Sequence, residues 1–142
     1  MKTVRQLLQM KGGQIYEIAP DARVFDALTL MAEREVGALV VTDGGRLAGI
    51  ISERDYARKV ILHGKSSHEM QVRDIMTAKV IAVHPGQTVE ECMALMTGKR
   101  FRHLPVIEGD RLIGVVSIGD LVKEVIAEQE QTIKQLESYI HS

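Results

Sequence analysis

The sequence predicts a mixed α/β chain, of the α+β type. Two tandem β-α-β-β-α repeats are expected in a pseudo-twofold relation, with an extended C-terminal helix. Three observations predict this. Residues 15–61 align with 80–126 without a gap at a constant offset of 65, and fourteen of these 47 positions are identical; such self-similarity is the mark of a repeat architecture. Each copy holds an apolar stripe of helical period followed by two short apolar runs joined by a glycine-bearing turn, the pattern of a helix and then a hairpin. Beyond Ala127 the chain runs to Ser142 without proline or glycine.

The elements follow in order. Short leaders, Val4 to Met10 and Val72 to Met76, precede the copies. A first strand is expected at Ile15 to Ile18 and at Val80 to Val83, closed by Pro20 and Pro85, because proline fixes φ and removes a backbone donor. Val24, Ala27, Leu28, Met31 and Val89, Cys92, Met93, Met96 then repeat at i, i+3, i+4, i+7, which gives each copy one core-facing amphipathic helix. Leu39 to Val41 and Leu104 to Ile107 run into Asp43-Gly44-Gly45 and Glu108-Gly109-Asp110 and return as Ala48 to Ile51 and Ile113 to Val116, two hairpins on glycine turns. Ser52 and Ser117 open the second helices, and Val122, Ile126, Ile133, Leu136 and Ile140 stay near one face of the last one. A helix from Ser117 to Ile140 would be about 36 Å long at 1.5 Å per residue, so its outer turns are expected to pack on a second subunit as a homodimer. The chain divides into a first repeat (1–62), a polar linker (63–71) and a second repeat with its helical extension (72–142).

Composition narrows the function. The 142 residues are 45% hydrophobic with a formal net charge of -1, so no global field draws the chain to nucleic acid or to an anionic membrane. No apolar run approaches the roughly 20 residues of a membrane span, and the first residues lack the apolar core of a signal peptide. A cytoplasmic location is expected, and the lone Cys92 fits a reducing compartment.

Binding chemistry concentrates in a repeated motif, Gly49-Ile50-Ile51-Ser52-Glu53-Arg54-Asp55 and Gly114-Val115-Val116-Ser117-Ile118-Gly119-Asp120. Serine and an acid three residues apart before a helix form a capping box. The same residues also suit a ligand: glycine permits close approach, amides at a helix start attract phosphate, and a carboxylate accepts both hydroxyls of a ribose. Both readings stand on the sequence alone.

With this paired motif, with Arg102-His103-Leu104-Pro105-Val106 ahead of the second hairpin and with the β-α-β-β-α order, nearly the whole chain resembles the cystathionine-β-synthase-type (CBS) domain, which occurs as tandem pairs. The resemblance implies a pseudo-twofold CBS pair whose two clefts bind AMP, ADP, ATP, NAD or S-adenosylmethionine, and a sensing role without catalysis that acts on an effector protein the sequence does not identify. Carried over, Asp55 and Asp120 hold ribose, and Ser52 and Ser117 lie near the sugar or phosphates. Ile81, Val83, Leu104 and Pro105, or Tyr16, Ile18, Ala38 and Leu39, frame adenine. In the family each cleft draws its adenine wall from one repeat and its acid from the other, so Arg102 and His103 would complete the cleft of Asp55. Lys99-Arg100-Phe101-Arg102-His103 aligns with Arg34-Glu35-Val36-Gly37-Ala38. The Asp55 cleft is therefore expected to be the better phosphate binder, with Asp120 facing the uncharged Gly37 and Ala38. The competing expectation is a structural dimer or interaction scaffold whose clefts stay unoccupied.

Other candidates carry less. Cys92 lies on an apolar stripe and reads as a core thiol, His63 and His68 have no frame of metal-ligand spacing, and His84 ends a strand before Pro85. No Walker loop, dinucleotide fingerprint, zinc-protease motif or nucleophile elbow occurs, and no catalytic residue or metal site is assigned.

Overall fold

A computed structural model describes residues 2–99 and 101–141. Among them the order is α1 (Val4–Lys11), β1 (Glu17–Ile18), α2 (Val24–Arg34), β2 (Ala38–Asp43), β3 (Arg46–Ser52), α3 (Glu53–Lys59), a 3₁₀ turn (Ile61–His63), α4 (Val72–Ile75), α5 (Val89–Lys99), β4 (His103–Glu108), β5 (Arg111–Ser117) and α6 (Ile118–His141). The mixed class, the doubled unit and the long last helix are all present. The hairpins superpose position for position under the 65-residue offset. Even their irregularities match, with register shifts between Val41 and Thr42 and between Val106 and Ile107.

The leading strands are shorter than expected. β1 keeps two residues, paired in parallel with Val40 and Val41 of β2. In the second repeat the expected strand contracts to a single parallel bridge, Val83 to Val106. Pro105 supplies the reason. It occupies the place of Val40, whose amide donates to the Tyr16 carbonyl at 3.1 Å, and proline has no N–H to make that bond.

Each repeat has its own core, and the leaders are exchanged between them. Helix α4, with Val72 and Ile75, packs against Val24, Ala27, Met31, Leu39, Val41 and Ile51 of the first repeat. Helix α1, with Val4, Leu7 and Leu8, packs instead in the second, against Val89, Cys92, Met96, Leu104, Val106 and Val116. Backbone bonds repeat the exchange. The Val72 amide donates to the Ala22 carbonyl and the Val4 amide to the Gln87 carbonyl, both at 2.8 Å. Burying Leu7 and Leu8 contributes roughly 2 kcal/mol each, so the N-terminal segment is a structural part of the far repeat. At its start Lys2 Nζ donates to the buried Glu124 of α6 at 2.7 Å.

The two leaders differ in length. Sixteen positions separate Val4 from Pro20, and thirteen separate Val72 from Pro85. The surplus lets α1 run eight residues where α4 runs four. Helix α1 thereby carries Lys11 as far as the end of β5, a reach that α4 lacks.

Candidate functional site

The repeated motif forms both of its expected capping boxes. Ser52 Oγ accepts the Asp55 amide at 3.2 Å while Asp55 Oδ2 accepts the Ser52 amide at 3.0 Å. Ser117 and Asp120 make the same pair at 3.1 and 2.9 Å. The first helical amides are also engaged, Glu53 with the Gly37 carbonyl at 3.0 Å and Ile118 with the Arg102 carbonyl at 2.9 Å. The expectation that free amides at these helix starts attract phosphate is therefore corrected: two amides of each first turn already have protein partners.

The motif glycines serve a different approach from the one expected. A Cβ on Gly49 would lie 2.5 Å from the Thr77 carbonyl oxygen, and one on Gly114 would lie 2.6 Å from a Leu8 methyl. What comes close at both positions is the exchanged leader.

Each acid nevertheless opens onto a cavity. The first, of about 580 Å³, is lined by Ser52, Asp55, Arg58, Lys59, Thr77, Val80, Phe101, Arg102 and His103, with Gly37, Ile50, Glu53 and Arg54 completing the wall. The second, of about 380 Å³, gathers Lys11, Gln14, Tyr16, Glu35, Ala38, Leu39, His103, Ser117 and Asp120. Each cavity thus combines the acid of one repeat with residues of the other. Gly37, Ile50 and His103 line both, so the two are neighbours across a shared wall. Both volumes fall in the range of small-molecule sites.

The structure brings together Ser52, Asp55, Arg102 and His103 in the first cavity and Ser117, Asp120, Tyr16, Ala38 and Leu39 in the second. It places the other sequence candidates elsewhere. Val83 and Leu104 are core residues at 2% and 0% exposure. Ile18 and Ile81 are half-buried against the two cores, and Pro105 is buried within β4. The period of two along a strand explains part of this, since Leu104 and Val106 point into the core. Arg100 of the cation cluster lies outside the described residues.

The acids are held differently. Asp55 Oδ1 accepts from Thr77 Oγ1 at 3.3 Å and pairs with Lys59 Nζ at 3.2 Å. Asp120 Oδ2 pairs with Lys11 Nζ at 2.6 Å, and Lys11 also donates to the Val115 carbonyl at 2.9 Å. Burial pulls the Asp120 carboxyl upward, but its hydrogen bonds to Lys11 and Ser117 and the Lys11 charge outweigh this and hold it below the usual carboxylate range. Burial also holds His103 below the usual histidine range. Asp120 opposes that shift, while Lys11 and Arg102 add to it.

Sequence reasoning missed Lys11, Gln14, Arg58, Lys59 and Thr77. The one usable signal was the i+4 spacing of Lys59 from Asp55, which puts both on one helix face. Lys11 lies 109 positions from Asp120, beyond the reach of any local pattern. Away from the cavities, Cys92 is fully buried, and burial followed by the Glu91 charge pushes its thiol up to about 11, so it packs as a neutral group. His68 stacks on Phe25 with ring centroids 4.2 Å apart, and His84 accepts the Gly86 amide in its turn. Among the described residues no helix is long and apolar enough to cross a membrane.

Comparison with known proteins gives a consistent result. The CBS domain profile matches residues 13–62 and 72–127. The CBS domain-containing protein CBSX3, mitochondrial, of Arabidopsis thaliana is 44% identical over 147 residues, covering 97% of this chain and 71% of its own. A solved protein with CBS domains from Burkholderia ambifaria MC40-6 is 55% identical with a TM-score of 0.86, over 90% of this chain and 96% of its own. The CBS domain pair of protein MJ0100, solved with 5′-methylthioadenosine and S-adenosylmethionine, shares the fold at 22% identity and a TM-score of 0.80, over 90% of this chain and 98% of its own.

Proposed function

The chain belongs to the CBS domain family, and from that premise we propose that it is a regulatory module, working as a homodimer, that binds adenosine-containing ligands in its two inter-repeat cavities and does no chemistry on them. The observation that carries this reading is the crossed pairing: Asp55 shares a cavity with Arg102 and His103, and Asp120 with Tyr16, Ala38 and Leu39. In this reading the carboxylates receive ribose hydroxyls, Tyr16 and Phe101 offer aromatic faces to a base, and the side-chain cations receive phosphate.

The cavities would select different ligands. Around Asp55 stand Arg54, Arg58, Lys59 and Arg102 against Glu53 and Asp55 itself. Around Asp120, Lys11 stands against Glu35 and Asp120. An excess of positive charge beside a partly desolvated site favours di- and triphosphates. We therefore assign the phosphorylated ligands, ATP, ADP or NAD first and AMP after them, to the larger Asp55 cavity, and an adenosine ligand without phosphate, S-adenosylmethionine, to the other. That the same fold in MJ0100 holds two adenosine derivatives shows what the architecture accommodates there. Ligand would act on an effector by preferring one arrangement of the module over another, since equal affinity for both shifts nothing. A cytoplasmic site of action completes the proposal.

One observation favours the scaffold reading instead: both capping boxes are satisfied within the protein, so the acids have a structural role without any ligand. Thermal melting and titration calorimetry with AMP, ATP, NAD and S-adenosylmethionine separate the two. A ligand present at a hundred times its Kd adds about 2.7 kcal/mol by mass action. Absence of heat and of any shift with all four would establish the scaffold.

A further inference from the structure

The last helix carries a surface that the two cavities do not explain. From position 129 to 141 every described residue of α6 is exposed, a free-standing segment of about 20 Å. A lone helix of that length is marginal in water, yet its apolar residues form a continuous stripe. Val122, Ile126, Ile133, Leu136 and Ile140 are between 41% and 73% exposed. Their spacing is heptad: Ile126, Ile133 and Ile140 recur every seven positions, and Val122, Gln129 and Leu136 form the alternate row. Isoleucine throughout one row, with Leu136 in the other beside Val122 and Gln129, places β-branched residues and leucine as a two-stranded parallel coiled coil does. The buried residues of α6, Leu121 and Glu124, occupy outward positions of the same heptad, so the protein body leaves the seam open.

We infer that two copies of this chain pair through α6 as a parallel, in-register coiled coil; this rests on the homodimer in the function proposed above and specifies its interface. Two independent features decide the orientation. In a parallel pair each residue of the seam meets its own copy, so Gln129 meets Gln129 and the amides bond each other. An antiparallel pair sets one row against the other, so with Ile133 against Leu136 it would place Gln129 against Ile140 and leave the amide unpaired in an apolar layer. Glu130 and Glu137 flank the seam on one side. Antiparallel pairing would bring these carboxylates face to face, whereas parallel pairing sets Glu137 opposite the neutral Thr132.

Sedimentation of the full chain at micromolar concentrations tests the pairing. The wild type should be a dimer, and Ile133→Asp combined with Leu136→Asp should weaken it at least about a hundredfold by burying charges in the seam. Both side chains are more than half exposed in the single chain, so melting and far-ultraviolet dichroism should show an unchanged fold. Orientation is read from Ile140→Cys: mild oxidation with diamide should link the two tails, while wild type, whose Cys92 is buried, should not link. A monomeric wild type overturns both this pairing and the homodimer. A dimer indifferent to the double substitution overturns the pairing and leaves a homodimer built on another face. A dimer lost on that substitution but never linked through Ile140→Cys overturns the parallel orientation.

Discussion

Asp55 and Asp120 occupy the same place in the two repeats and make the same cap, yet different parts of the chain hold them. Asp55 is met nearby, by Lys59 on its own helix and by Thr77 just past α4. Asp120 is met by Lys11 from the exchanged N-terminal helix. One turn further on, Lys59 corresponds to Glu124, which is buried and bonded to Lys2. The second repeat therefore carries an acidic pair balanced by two lysines of the N-terminal segment, and the first balances its acid from within. Caps, glycines and strand irregularities coincide, whereas the charges around the cavities have diverged. Backbone geometry is what two copies of a unit must share to stand in a twofold relation. The cavity walls are free to differ, and that is where ligand discrimination would arise.

The sharpest way to break the comparison is at the glycines. Gly49→Ala places a methyl against the Thr77 backbone carbonyl, which cannot move without opening the bridge between Ile50 and Thr77; a loss of about 3 kcal/mol is expected. Gly114→Ala meets only the end of Leu8, a side chain able to turn aside, and should cost about 1 kcal/mol. Denaturant unfolding of the two variants measures the difference. Equal costs would mean that the leaders seat alike in both repeats.

Ligand affinity should divide the repeats next. Asp55→Ala removes the acid of the cation-rich cavity, and we expect AMP and ATP binding to weaken roughly tenfold or more, about 1.5 kcal/mol for a charged hydrogen-bonding group. Asp120→Ala should have the smaller effect on both. Calorimetry that returned the reverse order would remove the assignment of phosphate to the Asp55 cavity.

How far this asymmetry was legible in the sequence follows from the physics of each feature. The repeat, both hairpins, both stripes and the serine–aspartate caps are local, so spacing alone exposed them. The cation excess beside Asp55 was partly visible, through Arg102. The contraction of the second leading strand followed from Pro105, but only pairing with β4 makes its missing amide matter. The exchange of α1 and α4, and with it Lys11, was invisible because it depends on contacts far apart in the chain, 50 positions from Val72 to Ala22 and 83 from Val4 to Gln87. Residues proposed as an adenine wall separated for a similar reason: Leu104 and Val83 have the apolar character of a wall, and the fold uses it for the core.

Acid should reveal a smaller difference centred on the second repeat. His103 has a lowered pKa in the folded protein. The unfolded chain therefore binds its proton first, and stability falls as pH drops below the unfolded value of about 6.5. Asp120, also lowered, contributes stability above its unfolded value, and this is lost as pH falls through its folded one. The two losses come at different pH. Melting between pH 7 and 5 should show a decline that His103→Gln flattens, leaving the decline below about pH 4 in place. An unchanged slope in His103→Gln would mean that this imidazole is solvated in the folded state.

The smallest effect on stability, and the most specific, belongs to Lys11→Met. The pair with Asp120 is partly exposed, Lys11 at 36% and Asp120 at 24%, so its loss should change stability by less than about 1 kcal/mol. Its electrostatic consequence is larger. With the ammonium gone, the burial that raises the Asp120 carboxyl meets only the Ser117 hydrogen bonds, and the carboxyl should titrate at higher pH in carbon-detected NMR. A methionine of similar length keeps the apolar stem of Lys11 on the protein, so packing is preserved and the charge alone is removed. If Asp120 did not move, the lysine would be held by the Val115 carbonyl alone. The N-terminal helix would then brace the second repeat without tuning its acid.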